Sequence, residues 1–154
     1  MPKFSIRAAA AVLWLALTGA GAVHAAGSDD AYAAAPGPLQ SAVDAIRAER
    51  YADAIKLLEP YTLQNARDAD GFNWLGYAYR KSGQLPLAFA RYERALALDP
   101  QHRGAHEYIG EAYLQDGRPE RAEQHLQRLQ QLCGGCEEYL DLKSAIAEHR
   151  ARMK

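Results

Sequence analysis

The sequence predicts an all-α protein built from repeated helix pairs, and three observations support this prediction. The segments YADAIKLL (51–58), LPLAFARY (85–92) and PERAEQHL (119–126) begin 34 residues apart. Within each period, apolar residues recur three and four positions apart, which is the pattern of an amphipathic helix. Glycine and proline fall at matching places in successive periods, where helices commonly end and begin. Such a period indicates helix–turn–helix units stacked in a row.

The first helix of each unit is clearest in the second and third periods, where FNWLGYAYRKSGQ (72–84) aligns with HEYIGEAYLQDGR (106–118). Gly76 and Gly110 lie inside these helices, at a cost of about 1 kcal/mol each relative to alanine. We therefore expect a neighbouring helix to approach the backbone closely at both glycines. The first unit fits this pattern less well.

The helix ends are marked by glycine and proline. Gly83 and Gly117 follow the first helices of their units, where a left-handed residue commonly ends a helix. Pro86 and Pro119 fall in the opening turn of the second helices, where a missing N–H costs nothing. Pro60 falls inside the second helix of the first unit, so we expect a kink or an early end there, with a looser connection after it.

The last segment, EEYLDLKSAIAEHRARM (137–153), replaces a fourth unit with one amphipathic helix. A terminal repeat needs a cap with a polar outer face, and this helix supplies it. The apolar residues expected to be buried in it are Tyr139, Leu140, Leu142, Ile146 and Met153.

The first 25 residues have the features of a secretory signal peptide. A basic start with Lys3 and Arg7 precedes an uncharged apolar stretch, and small residues end it. The apolar stretch is short and broken by glycine, which disfavours a membrane anchor. We expect cleavage after Ala25, a flexible linker over 26–37 and a repeat domain over 38–153. The expected location is the periplasm.

The stretch WLGYAYRKSGQLPLAFARYERALALDP resembles a tetratricopeptide repeat, with units near 35–68, 69–102 and 103–136 and a capping helix near 137–152. The stretch HRGAHEYIGEAYLQDG followed by LCGGCEEYLDLKSAI also resembles small exported tetratricopeptide proteins of proteobacteria. The resemblance implies a right-handed α-solenoid whose first helices line a concave groove. It also implies a non-catalytic scaffold or adaptor that binds a peptide or protein segment there.

The resemblance places certain residues of each unit in the groove. The residues expected to bind a carboxylate or a peptide backbone are Asn73, Arg80, Lys81 and Arg47. Tyr77 is expected to supply a flat anchor. The alternative is that these are solvated helix faces with ordinary charge pairs. An exposed stripe of Leu39, Val43 and Ile46 would also permit self-association. The full set of expected groove residues is Arg47, Asn73, Tyr77, Arg80, Lys81, Glu107 and Glu111.

Several function classes receive no support from the sequence. The formal net charge is −1, with no basic excess that would favour nucleic acid. No nucleophile–histidine–carboxylate set or phosphate-binding loop occurs, so we expect neither an enzyme nor a bound cofactor. His102 and His106 lie four residues apart near Glu107, but His102 falls in a turn and a metal site is disfavoured. His125 and His149 are predicted to be solvent-exposed.

The only two cysteines, Cys133 and Cys136, lie in LCGGCEEY between the last repeat and the cap. An oxidising compartment favours a disulfide that sets the exit angle of the last helix. The alternatives are a redox-active pair, as in a thiol accessory protein of cofactor or disulfide maturation, and half of a metal site. Glu137 and Glu138 follow at once and disfavour a reactive thiolate.

Overall fold

The computed structural model describes residues 36–153, which form seven helices and no strand. The prediction of an all-α fold is confirmed. The helices are α1 (Pro38–Arg47), α2 (Tyr51–Gln64), α3 (Ala69–Lys81), α4 (Leu85–Leu98), α5 (Arg103–Gln115), α6 (Pro119–Cys133) and α7 (Glu137–Arg152). The predicted leader and almost all of the predicted linker lie outside the described residues. No helix of residues 36–153 is long and apolar enough to cross a bilayer.

The helices stack in two layers. Consecutive helices pack as the pairs α1–α2, α3–α4 and α5–α6, and the second helix of each pair also packs against the helix that follows it. The first helices form the other layer, because α1 contacts α3, α3 contacts α5 and α5 contacts α7. This arrangement places residues from α3, α5 and α7 along one shared face.

Gly76 and Gly110 mark close helix approaches, as the sequence predicts. A Cβ atom on Gly76 would lie 2.7 Å from the ring of Tyr92 on α4. A Cβ on Gly110 would lie 2.6 Å from Leu142, which belongs to the terminal helix α7. Tyr92 and Leu142 are both fully buried. The close contact at Gly110 therefore holds the cap helix against the last repeat.

The turns after the first helices share one backbone conformation. Gly83 and Gly117 have φ angles of 77° and 72°, which confirms the predicted left-handed residue after each helix. In the first unit Glu49 stands at the corresponding position, and its φ of 57° makes it the only non-glycine residue of 36–153 with a positive φ. The fold therefore holds Glu49 in the left-handed backbone conformation that usually requires glycine.

A kink or an early end is predicted at Pro60, and the early end is wrong, since α2 continues to Gln64. Pro60 is exposed, and packing of Leu58 and Thr62 on the other side of α2 holds the helix together. The following connection is short and well bonded, not loose. The Tyr61 hydroxyl donates to Asp68 Oδ2 at 2.6 Å, and this hydrogen bond raises the pKa of Tyr61 to about 12.

Two expectations about exposed and buried apolar residues need correction. Val43 and Ile46 are 8% and 7% exposed, so the stripe proposed for self-association is covered by the protein's own core. In α7, Leu142 and Ile146 are buried as expected, but Leu140 and Met153 are 53% and 76% exposed. Both face away from the repeat, because only one side of a terminal helix has a neighbour.

Candidate functional site

A groove of about 520 Å³ lies between α3, α5 and α7, with the α4–α5 connection at its edge. Trp74 and Tyr108 form its aromatic walls, and Asn73 and Glu107 also line it. These four residues come from two repeats. Trp74 and Tyr108 are separated by 34 residues, as are Asn73 and Glu107, so each pair holds equivalent positions in successive repeats. The repeat geometry therefore builds the groove.

Four half-buried aromatic residues form a continuous cluster beside this groove, here called the aromatic cluster. The ring of Tyr77 lies 4.8 Å from Tyr108, 5.9 Å from Trp74 and 6.5 Å from Tyr51, and Trp74 lies 6.2 Å from Tyr108. Tilted and edge-to-face pairs at these distances are favourable. Tyr77 therefore forms part of an aromatic surface, as its predicted role as an anchor requires.

Asn73 is 3% exposed, and its Oδ1 atom is buried with no hydrogen-bond partner within residues 36–153. A buried polar atom without a partner costs roughly 1–3 kcal/mol. The equivalent atoms of most buried side chains are satisfied. Asn73 lines the groove, so a change of its side-chain rotamer that exposes this acceptor would let an N–H donor of a bound molecule satisfy it.

Arg80 does not have the role that the sequence suggests. It was expected to bind a carboxylate of a partner, yet it is 5% exposed and its guanidinium pairs with Glu111 at 2.6 Å. It also donates to the hydroxyl of Tyr92 at 3.4 Å and lies 5.1 Å above the ring of Tyr77. Arg80 and Glu111 therefore satisfy each other within the protein and join α3 to α5.

Glu107 is 7% exposed, although charged side chains are rarely buried without a partner. No ion pair within residues 36–153 includes it. Burial, assisted by the neighbouring charges of Glu111, Asp141 and Glu138, raises the pKa of its carboxyl to about 8, while Arg80 opposes the shift. This shift in pKa favours the protonated form of Glu107 near neutral pH.

The other two predicted groove residues are exposed cations. Lys81 lies at the C-terminal end of α3, with its ammonium 5.9 Å from the ring of Tyr51 and 6.0 Å from that of Tyr77. It therefore sits at the edge of the aromatic cluster. Arg47 pairs with Asp44 on its own helix and does not line the groove. Its behaviour is that of an ordinary surface ion pair.

Sequence reasoning missed several residues of the groove. Trp74 and Tyr108 were not among the predicted groove positions, although their 34-residue spacing was a usable signal. The terminal helix α7 contributes Glu137, Glu138 and Asp141. No repeat register could have assigned these three residues, because α7 replaces a repeat and does not continue one.

The histidines serve helix capping and packing. His102 is the N-cap of α5: its Nδ1 accepts from the backbone N–H of Ala105, and its Nε2 lies 3.0 Å from Asp70 Oδ1. His106 is buried, with its Nε2 3.1 Å from the carbonyl oxygen of Pro100. Among residues 36–153, no group of three or more His, Cys, Asp or Glu side chains is arranged to hold a metal ion.

The prediction that His125 is solvent-exposed is wrong, and His149 is also partly buried. The Nδ1 atoms of His125 and His106 lie 2.9 Å apart. A carbonyl only accepts, so His106 must carry its proton on Nε2 to donate to Pro100, which leaves its Nδ1 as an acceptor. His125 Nδ1–H therefore donates to His106. Burial lowers the pKa of His125 to about 4, with the neighbouring charges of His106 and Arg121 contributing.

Cys133 and Cys136 form a close pair at the junction of α6 and α7, with Cα atoms 5.6 Å apart. Gly134 between them adopts a left-handed conformation with φ 66° and ends α6. Cys136 is the N-cap residue of α7, and Glu137 and Glu138 lie in the first turn. The pair therefore links the last repeat to the helix that supplies acidic side chains to the groove.

Several solved structures share this fold. The Yersinia enterocolitica type III secretion translocator chaperone SycD, in complex with a peptide of the translocator YopD, matches with a TM-score of 0.65 and 21% identity, covering 76% of this chain and 92% of that one. PcrH in complex with the chaperone-binding region of PopD matches with a TM-score of 0.66 and 18% identity, covering 76% of this chain and 91% of that one. The first repeat domain of Spaghetti (RPAP3), bound to the HSP90 peptide SRMEEVD, matches with a TM-score of 0.66 and 17% identity. The match covers 74% of this chain and 90% of that one.

At these identities the likeness establishes the fold. No curated protein matches the chain significantly by sequence. The family model for the tetratricopeptide repeat matches residues 39–90 and 75–135, which together span more than half of the chain. The matched range covers the three helix pairs and stops before α7. The chain belongs to the tetratricopeptide repeat family.

Proposed function

We propose that this protein is a non-catalytic binding module that holds an extended segment of a partner protein in the groove between α3, α5 and α7. One observation carries the proposal: the groove joins a half-buried aromatic cluster to a buried amide oxygen that has no partner within residues 36–153. Aromatic side chains anchor many interfaces, and an extended backbone offers N–H donors to an unpartnered acceptor.

The solved structures of the same fold support this proposal. SycD and PcrH are described in complex with segments of their translocator partners, and the RPAP3 domain with an HSP90 peptide. Each complex concerns that protein alone, and the identities of 17–21% leave the partner of this chain open. They support a peptide or protein segment as the class of ligand.

We further propose that the protein acts in the bacterial cell envelope as an adaptor or assembly scaffold. The features of residues 1–25 support this location, because a basic start, an apolar stretch and a small-residue end direct export and cleavage. Expression of the full chain in bacteria, followed by fractionation and N-terminal sequencing, tests it. We expect a periplasmic product that begins at Ala26, and a cytoplasmic, uncleaved product would contradict the proposal.

Site-specific crosslinking tests the binding function. A photoreactive amino acid at position 81, beside the aromatic cluster, should capture a partner from an envelope extract, whereas the same group at the exposed position 120 of α6 should not. The double variant Trp74→Ala/Tyr77→Ala should lose the adduct. Leu87→Ala, which removes a partly exposed leucine from α4, should retain it.

Circular dichroism melting must show that the double variant is folded. If the folded double variant gives the same adduct as the unaltered groove, the aromatic cluster does not bind the partner and the proposal is wrong.

We propose that Cys133 and Cys136 form a structural disulfide, for which their Cα separation of 5.6 Å lies in the usual range. Such a small loop stabilises by roughly 2 kcal/mol. Protein purified without reductant should show no free thiol by mass spectrometry after alkylation. Replacement of both residues by serine should lower the melting temperature. Rapid reduction by glutathione, or a metal retained through purification, would instead favour the thiol-active or metal-handling accessory function.

A further inference from the structure

The pocket between α3, α5 and α7, here called the acidic end of the groove, carries an excess of carboxyl groups. Among residues 36–153, two basic side chains line it and both are already paired: Arg103 with Glu138 at 3.4 Å, and His102 with Asp70 at 3.0 Å. The ionised carboxyl groups that line the groove are those of Asp70, Asp99, Glu137, Glu138 and Asp141, whereas the raised pKa of the buried Glu107 favours its uncharged form. An anionic ligand would find no unpaired cation there.

Two further features of the same place suit a positive charge. The indole of Trp74 lines the groove, and tryptophan provides the strongest aromatic face for an ammonium or guanidinium group. The unpartnered Oδ1 of Asn73 needs a hydrogen-bond donor, and Lys and Arg side chains carry donors and no acceptors. Charge, aromatic surface and the buried acceptor are therefore all compatible with a positively charged hydrogen-bond donor.

Arg80, the nearest candidate for binding a carboxylate, is not available. Its guanidinium is held by Glu111 and lies above the rings of Tyr77 and Tyr108. Its charge is therefore balanced inside the protein. The groove differs in this respect from one that would bind an acidic peptide end.

We propose that the acidic end of the groove binds a lysine or arginine side chain of the partner segment, with Asn73 Oδ1 as acceptor and Trp74 as the stacking surface. This inference rests on the proposed function, because it names the kind of segment that the groove holds. A peptide is the source of the cation, because Trp74 and Tyr108 belong both to the acidic end and to the aromatic cluster. A segment with a basic residue beside apolar residues covers both.

The test uses three heptapeptides that differ only at the central residue: acetyl-ASLKALA-amide, its glutamine version and its glutamate version. Binding to the mature protein at pH 7.5 is followed by two-dimensional NMR titration. The lysine peptide should bind about tenfold more tightly than the glutamine peptide, as one charged contact and one cation–π contact allow. The glutamate peptide should bind more weakly than both. The signals of Asn73 and Trp74 should shift.

The variant Glu137→Gln/Asp141→Asn removes two exposed carboxylates from the groove and leaves the core unaltered. It should weaken binding of the lysine peptide about threefold more than binding of the glutamine peptide. Glu120→Gln, an exposed position on α6 outside the groove, is the matched control and should bind as the unaltered protein does.

The outcomes separate this inference from the proposed function. Equal binding of the lysine and glutamine peptides in the groove would overturn the cation preference and leave the binding module intact. Spermidine binding as tightly as the lysine peptide would overturn the peptide as the source of the cation. If no peptide binds, the inference fails, whereas the crosslink at position 81 decides the proposed function independently.

Discussion

Arg80 of α3 and Glu111 of α5 form an ion pair at 2.6 Å that crosses the boundary between two repeats. The arginine side chain is 4% exposed and the glutamate 26%. The sequence predicts that both residues contact a ligand in the groove, yet they pair with each other. The pair joins neighbouring first helices beside the aromatic cluster.

Removing Arg80 should therefore destabilise the fold. Arg80→Met leaves Glu111 and the buried hydroxyl of Tyr92 without their donor, and we expect a loss of about 3 kcal/mol in the free energy of unfolding, measured by urea denaturation. The double variant Arg80→Met/Glu111→Gln should recover part of this loss. Arg103→Met, which breaks a half-exposed pair with Glu138, should change stability by less than about 0.5 kcal/mol. Equal effects from both arginines would contradict the internal role of Arg80.

The carboxyl of Glu107 should make stability depend on pH above its ordinary pKa. Its pKa is about 8 in the folded protein and near 4.5 in the unfolded chain, so the folded state binds the proton more tightly and stability falls as pH rises through this window. The groups facing it are Glu111, Glu138, Asp141 and Arg80. Glu107→Gln should therefore stabilise the protein by about 4 kcal/mol at pH 8 and by less than about 0.5 kcal/mol at pH 4.5.

Thermal denaturation of Glu107→Gln from pH 4.5 to 9 measures this difference, with Glu120→Gln as the control. An equal gain from both variants at every pH would show that Glu107 is ionised in the folded protein.

The pair of His106 and His125 should make the fold sensitive to acid. The pKa of His125 is lowered to about 4, and that of His106 is also lowered by burial. The unfolded chain takes up protons below about pH 6.5 and the folded state resists them, so stability falls as pH decreases from 6.5 towards 4. The lowered pKa of His125 alone should reduce the free energy of unfolding by about 1–2 kcal/mol between pH 7 and pH 5.

His125→Gln keeps a donor for His106 Nδ1 and should reduce this loss, which urea denaturation at pH 7 and pH 5 measures. His149→Gln on α7 is the matched control and should leave the loss unaltered. A loss unaffected by His125→Gln would exclude the imidazole pair as its source.

Glu49 should be a site of stabilisation. It is exposed and left-handed, with φ 57°, at the position where the other two repeats have glycine. Relief of this backbone strain outweighs the greater entropy of glycine in the unfolded chain, so Glu49→Gly should raise the free energy of unfolding by about 0.5–1 kcal/mol. Ala48→Gly, one residue earlier with φ −86°, should be destabilising instead. Differential scanning calorimetry measures the stability of both variants. If both or neither were more stable than the unaltered protein, backbone strain at Glu49 would be contradicted.

The sequence by itself determined the helices and their order. The apolar spacing, the glycines at 83 and 117 and the prolines at 86 and 119 are local signals, and each acts within a few residues of where it stands. Pro60 shows the limit of local signals. Its penalty was outweighed because Leu58 and Thr62 bury the opposite face of α2 in contacts that no local pattern records.

Only the tertiary structure decided which polar groups satisfy one another. Arg80 meets Glu111, and His106 meets His125, across helices whose side-chain directions the repeat register leaves undetermined. The acidic end of the groove depends on α7, which packs through Leu142 against Gly110 and so carries Asp141 to the site. A period describes where a unit repeats, whereas the charge of a shared surface depends on how the last helix closes over it.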